Sequence, residues 1–195
     1  LLPLIDYEAI SSHPKIIVGL SDPSVILNSV SCTSNIPTFH GPNGHEFGGD
    51  DPLTPFTEKS FWSLVSQNIP LPYALPLGDK VQVVRQSAPQ QGILYGGNVE
   101  AVRSLLGTPW EPDWKNVILF LEDAVFRVFR FDRSLTHYKN AGVFDCIKGL
   151  VIGRPVECED SQHETLEDVV LRVCARHDFP ILTGLPIGHT DDKMT

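Results

Sequence analysis

Three side chains in this sequence have the types that acyl transfer needs: Ser21, Glu122 and His189. Ser21 stands where the β-branched run Ile16-Ile17-Val18 breaks at Gly19 and the apolar series Val25, Ile26, Leu27, Val30 begins. A strand that breaks sharply into a helix lifts the turn side chain into the open above a sheet, which is the placement of a nucleophile elbow. The same turn aims the Asp22 backbone N–H from a helix N-terminus, whose dipole favours developing negative charge. The competing reading is that Ser21 or Asp22 merely caps the helix. Pro23 also occupies the position of the second glycine of G-x-S-x-G, which disfavours a standard α/β-hydrolase. Glu122 closes Leu119-Phe120-Leu121-Glu122, the end of the most hydrophobic run, and in parallel α/β sheets the C-terminal strand edge is where sites are built. A helix cap or a solvated charge is its alternative. His189 lies in the loop Pro186-Ile187-Gly188-His189-Thr190, just past a short apolar run. An imidazole titrates in the range a general base requires, although a lone histidine is more often a surface or satisfied core residue. A nucleophile, an orienting acid and a base on three strand ends meet the logic of a serine-hydrolase triad.

The elements that must position these groups are read from periodicity. Residues 15–19 predict a strand, Pro23 suits a first helical turn, and 37–40 predict a second extended piece running into a Gly-rich loop over 41–52. Thr57 opens a helix carrying Phe61, Trp62, Leu64 and Val65. Residues 68–91 are Pro-dense around one alternating strand, Val81–Arg85, and a domain boundary is placed there, dividing the chain into 1–75 and 76–195. Beyond it strands over 93–95, 117–121, 147–152 and 180–183 alternate with helices over 98–106, 132–141 and 163–176. Such alternation predicts a largely parallel α/β layer structure.

Composition narrows the function class. The 195 residues carry 15 Lys and Arg against 24 Asp and Glu, a net charge of −9, so a nucleic-acid polymer is not an expected partner. The longest apolar run, Val117–Leu121, is far short of a bilayer-spanning helix, and no stretch reads as a signal peptide. A cytoplasmic protein without a membrane segment is expected. Cys32, Cys146, Cys158 and Cys174 form no C-x-x-C pair and read as reduced structural thiols, with two disulfides left open. His40 and His45, with Glu46 or Asp50, raise the idea of a metal site, but zinc wants more ligands at regular spacing, so a polar loop is the stronger reading. Gly92 and Gly96-Gly97-Asn98 read as a helix cap with close backbone packing. Arg127, Arg130 and Arg133 read as a solvated face that alternatively binds a substrate carboxylate, and the acidic stretch from Glu157 to Asp168 reads as solvated helix surface.

Taken together, the motifs resemble the LD-carboxypeptidases and their relatives, the microcin C self-immunity peptidases. The resemblance rests on Val18-Gly19-Leu20-Ser21-Asp22, Thr38-Phe39-His40-Gly41-Pro42, Gly96-Gly97-Asn98, Ile118 through Asp123, Gly149 through Gly153 and Gly188-His189-Thr190, in the family's order over nearly the whole chain. It implies a catalytic triad of Ser21, Glu122 and His189, with the N–H of Asp22 in the oxyanion hole. It also implies an N-terminal α/β nucleophile domain of flavodoxin-like type, present in part, followed by a swivelling C-terminal α/β domain. A metal-free, cofactor-free homodimer acting on a muropeptide-like or peptidyl-nucleotide substrate is expected. Residues 41–48 and 55–61 look more like the microcin-immunity branch. The segment Leu2-Pro3-Leu4-Ile5-Asp6-Tyr7 matches a point well inside the family pattern. The family's opening strands and its second oxyanion donor are therefore expected to be missing, as is the strand after the histidine loop. The segment 69–91 has Tyr73 but no tryptophan, so an aromatic platform for a nucleobase is not expected. A catalytically silent binding homologue, or a small-molecule-binding flavodoxin-like module with no use for His189, are the alternatives from other classes.

Overall fold

The computed structural model describes residues 1–48, 52–66, 80–159 and 164–195. In chain order the helices and strands are α1 (Tyr7–Ser12), β1 (Val18–Gly19), α2 (Ser24–Ser34), β2 (Phe39–His40), α3 (Pro55–Ser66), β3 (Gln82–Arg85), β4 (Ile93–Asn98), α4 (Val99–Arg103), β5 (Val117–Glu122), β6 (Val125–Arg127), α5 (Val128–Asn140), β7 (Gly149–Gly153), β8 (Glu157–Glu159), α6 (Leu166–Val173) and β9 (Ile181–Leu185). The main sheet has the order β3-β9-β7-β5-β4 and is parallel except for the antiparallel edge strand β3. Two smaller parallel pairs, β1-β2 and β6-β8, complete the strands. The expected parallel-dominated α/β architecture is therefore present.

Strand β5 lies between β7 and the edge strand β4, and because both of its faces are covered its sequence is a continuous apolar run. Leu119 and Leu121 join the helix-side core with Val102, Phe131, Leu135, Tyr138, Val169 and Val170. Phe120, one residue out of phase, faces the other way into a small cluster with Leu185, Ile187 and Met194. The alternation of side-chain direction along the strand thus delivers Glu122 to the sheet's C-terminal edge.

That edge meets the first part of the chain through backbone-directed hydrogen bonds. Asn28 on α2 spans the peptide groups of Gly96 in β4: its Nδ2 donates to Gly96 O at 2.7 Å and its Oδ1 accepts from Gly96 N at 3.1 Å. Ser24 Oγ accepts from Asn98 N at 3.1 Å. The approach of α2 is so close that a Cβ on Gly97 would lie 2.3 Å from Ser24 Oγ, while one on Gly96 would lie 1.8 Å from Phe120 O of the neighbouring strand β5. Both glycines also hold positive φ, 151° and 134°, so neither position accepts a side chain. On the other side, Thr57 of α3 donates to Asp191 O and accepts from Lys193 N, and Ser60 Oγ accepts from Thr195 N, pinning residues 191–195.

Several sequence expectations need correction. The strand expected over 15–19 pairs only at Val18–Gly19. Helix α5 starts at Val128 rather than 132, because Val128, Phe131, Leu135 and Tyr138 form one buried stripe at helical spacing. Helix α6 is shorter than 163–176, starting where Thr165 and Asp168 form a capping box. Glu157, read as solvated helix surface, lies in β8 opposite Val125. Helix α1, capped by Asp6, was not anticipated. Half of the Pro-dense stretch, residues 68–79, and with it the expected division at 75/76, lies outside the described residues. Its strand, β3, is an edge strand, the place where flanking prolines are tolerated.

Replacing Asn28 with leucine keeps the volume but strands the buried N–H and C=O of Gly96. Asn28→Leu is expected to lower the unfolding free energy by about 3 kcal/mol in denaturant titrations; a loss below about 1 kcal/mol would show the clamp to be dispensable.

Candidate active site

Ser21 lies on the turn between β1 and α2. A Cβ on Gly19 would come within 2.7 Å of Pro23 Cβ, so the turn closes this tightly only with glycine there. Ser21 itself has φ of 68°; the other non-glycine residues at positive φ among the described residues are Asn35 and Asn116. Asparagine tolerates this region, whereas a serine there stores roughly 1–3 kcal/mol of strain, a cost concentrated at functional sites. Ser21 O and Asp22 O accept from Ser24 N and Val25 N at 2.9 and 3.1 Å. Because N–H and C=O of a trans peptide point oppositely, the Asp22 N–H is directed away from the first turn of α2.

Glu122 and His189 are brought together. Glu122 is fully buried, and its Oε2 accepts from His189 Nδ1 at 2.7 Å. Space for the carboxylate is made by two glycines: a Cβ on Gly188 would sit 2.1 Å from Oε2, and one on Gly153 2.9 Å from Glu122 Cβ. Gly188 has φ of 92°. The loop closes on itself through Ile187 N to Leu185 O and Met194 N to Pro186 O. Burial alone would raise the Glu122 carboxyl, but the His189 hydrogen bond and the His40 imidazole outweigh it and hold it at about 2. The same hydrogen bond to Glu122 raises the His189 pKa against the opposing effect of burial. Asp123, next along the chain, is pushed up by burial, while its Oδ1 accepts from Asn98 Nδ2 and Ala124 N.

His40 is the group that sequence reasoning set aside. It is not grouped with His45. It ends β2 opposite Gly19, two residues before Ser21, and its Nε2 faces Glu122 Oε1 at 3.5 Å. Glu46 instead pairs with the buried Lys193, Asp50 lies outside the described residues, and among the described residues no cluster of metal-ligating side chains forms. The signal that finds His40 is pairing: once 37–40 is laid parallel to 15–19, His40 falls beside the strand end that leads to Ser21. A cavity of about 420 Å³ opens at the opposite, N-terminal edge of β7 and β9, lined by residues that include Phe144, Lys148, His177 and Phe179, and holds none of these groups.

The model of the LD-carboxypeptidase C-terminal domain matches residues 91–195, and that of the N-terminal domain matches residues 1–41. This chain belongs to the LD-carboxypeptidase family. Within the family it is 28% identical over 221 residues to the microcin C7 self-immunity protein MccF of Escherichia coli, covering 100% of this chain and 64% of the relative. It is 31% identical over 193 residues to a probable murein peptide carboxypeptidase of Bacillus subtilis, covering 97% and 60%. The chain thus spans 60–64% of the length of these LD-carboxypeptidase relatives. Among solved structures, ligand-free wild-type MccF superposes with a TM-score of 0.86 at 25% identity, over 97% of this chain and 64% of that one. A muramoyltetrapeptide carboxypeptidase from Oxalobacter formigenes superposes at 0.77 and 28% identity, over 97% and 65%.

The buried carboxylate has a stability signature. Its folded pKa of about 2 lies below the ordinary 4.5, so its contribution is complete above pH 4.5 and is lost as the pH falls toward 2, a span worth about 3 kcal/mol. The stability difference between the wild type and Glu122→Gln is expected to shrink over that window in denaturant titrations. A difference that stays flat would remove the ion pair from the list of stabilising contacts.

Proposed function

We propose that this chain carries the catalytic centre of a serine peptidase that hydrolyses an amide bond in a muropeptide-like or peptidyl-nucleotide substrate. The observation that carries the reading is the His189 Nδ1–Glu122 Oε2 hydrogen bond of 2.7 Å at the C-terminal edge of the sheet. It commits one ring nitrogen to the carboxylate and leaves Nε2 to act on Ser21. The strained φ of Ser21 supports the same assignment from an independent direction.

In this mechanism Ser21 Oγ attacks the amide carbon as His189 Nε2 takes its proton. The carbonyl oxygen becomes an oxyanion held by the Asp22 N–H, at the start of α2 where the helix dipole is favourable. The imidazolium, stabilised by Glu122, gives its proton to the departing amine. Water then attacks the acyl-serine, with His189 again as base and then acid, and the serine is regenerated. No metal enters any step. The division 1–75 and 76–195 assigns Ser21 to the first domain and the Glu122–His189 pair to the second, and the assembly expected from the family resemblance is a homodimer.

The names of relatives support two substrate classes. MccF has been solved with aspartyl sulfamoyl adenosine and with glutamyl sulfamoyl guanosine, and another relative is a muramoyltetrapeptide carboxypeptidase. Both classes present an amide bond near an acidic or terminal group.

In the full protein, Ser21→Ala is expected to lower turnover of an L,D-linked muropeptide or a peptidyl-adenylate analogue by about a thousandfold or more, and a serine-reactive phosphonate should label Ser21. Turnover retained in Ser21→Ala sinks the mechanism. Because the base must be neutral and Glu122 raises the His189 pKa above 6.5, kcat/KM is expected to fall as the pH drops through a midpoint above 6.5. A midpoint below 6.5 would contradict His189 as the base.

A further inference from the structure

We infer that His40 is a positioning residue for the Glu122–His189 pair, donating its Nε2–H to Glu122 Oε1 so that one carboxylate is held between two imidazoles. The catalytic consequence rests on the peptidase reading above, while the contact itself does not. His40 Nε2 and Glu122 Oε1 are both buried, face each other at 3.5 Å, and neither has another hydrogen-bond partner among the described residues. The two side chains are 9% and 0% exposed. Leaving an imidazole nitrogen and a carboxylate oxygen buried and unmatched is costly, and each is the other's available partner. The ring is also held by an edge-to-face contact with Phe120, centroids 5.2 Å apart.

A carboxylate bonded through one oxygen can still turn about its terminal torsion. A donor on each oxygen fixes the carboxylate plane, and with it the orientation of the His189 ring. The charged and titratable groups acting on this pair are His40, Asp123 and Lys193, the last paired with Glu46. Of these, His40 is the donor that faces the free oxygen of Glu122. Removing that donor leaves the carboxylate a stronger acceptor toward His189, so His189 should hold its proton to higher pH.

The test is an NMR titration of ring nitrogens in the full protein, with kinetics alongside. His40→Leu is expected to raise the His189 midpoint by about half a pH unit or more and to lower kcat about tenfold, with KM changed less than about threefold. His40→Gln, which retains a side-chain N–H, should move both values back toward wild type. An unchanged midpoint in folded His40→Leu, or equal shifts in both variants, overturns the inference. Should His40→Leu fail to fold, the wild type decides: a protonated, slowly exchanging Nε2 at neutral pH supports the contact, and an unprotonated Nε2 overturns it. A wild-type protein that cleaves neither substrate class would sink the peptidase reading while leaving the titration result standing.

Discussion

A fully buried carboxylate with a folded pKa near 2 is the constraint around which this edge of the molecule is arranged. Taking such a charge out of water costs several kcal/mol unless donors replace the lost hydration. His189 supplies one at 2.7 Å, and this explains local features that otherwise look arbitrary. Gly188 must lack a side chain because Oε2 occupies the space, and Gly153 must lack one because Glu122 Cβ and Ile187 do. The apolar alternation of β5 sends Leu119 and Leu121 to one core and Phe120 to the other, so Glu122 arrives at the strand end surrounded by packed atoms rather than by solvent.

The serine turn depends on a different balance. Its positive φ is unfavourable by itself, and the surrounding structure must over-determine it. Three contacts do so. Gly19 lets Pro23 close over the strand end, Ser24 Oγ receives Asn98 N, and Asn28 binds both peptide groups of Gly96. Asn98 is also the register partner of Glu122. The strained turn and the buried carboxylate are therefore tied through the end of a single strand, β4, with Gly97 allowing α2, and Gly96 the neighbouring β5, to approach its backbone.

What could be read from the sequence follows from the range of the forces involved. Strand β5 was legible because burial on both faces writes a continuous apolar run, and Glu122 was legible as the first polar residue after it. The start of α5 was not, because Phe126-Arg127-Val128 alternates like a strand up to the helix, and β6 indeed ends at Arg127 where α5 begins. The pair β6-β8 spans three residues on each side and carries charges, so no periodic signal marks it. His40 left no local trace either. What distinguishes it is a carboxylate supplied by a distant part of the chain, and one imidazole beside Gly-Pro looks the same whether it points to solvent or to Glu122.

Beside the apolar packing of Phe56 against Phe120, Leu185, Ile187 and Met194, several contacts between the described residues of 1–66 and those of 80–195 are directional. Asn28 with Gly96, Ser24 with Asn98, Thr57 with Asp191 and Lys193, and Ser60 with Thr195 are hydrogen bonds with a fixed partner, and Lys193 with Glu46 adds an ion pair that is largely buried. An apolar surface tolerates small slips, since burial is non-directional. A set of buried donors and acceptors does not, because each slip strands a polar group. Chemistry that needs a hydroxyl from one stretch of chain and an imidazole from another, aligned to within about half an ångström, is better served by the second kind of contact. Directional contacts of this kind are what the proposed alignment of Ser21 with His189 calls for.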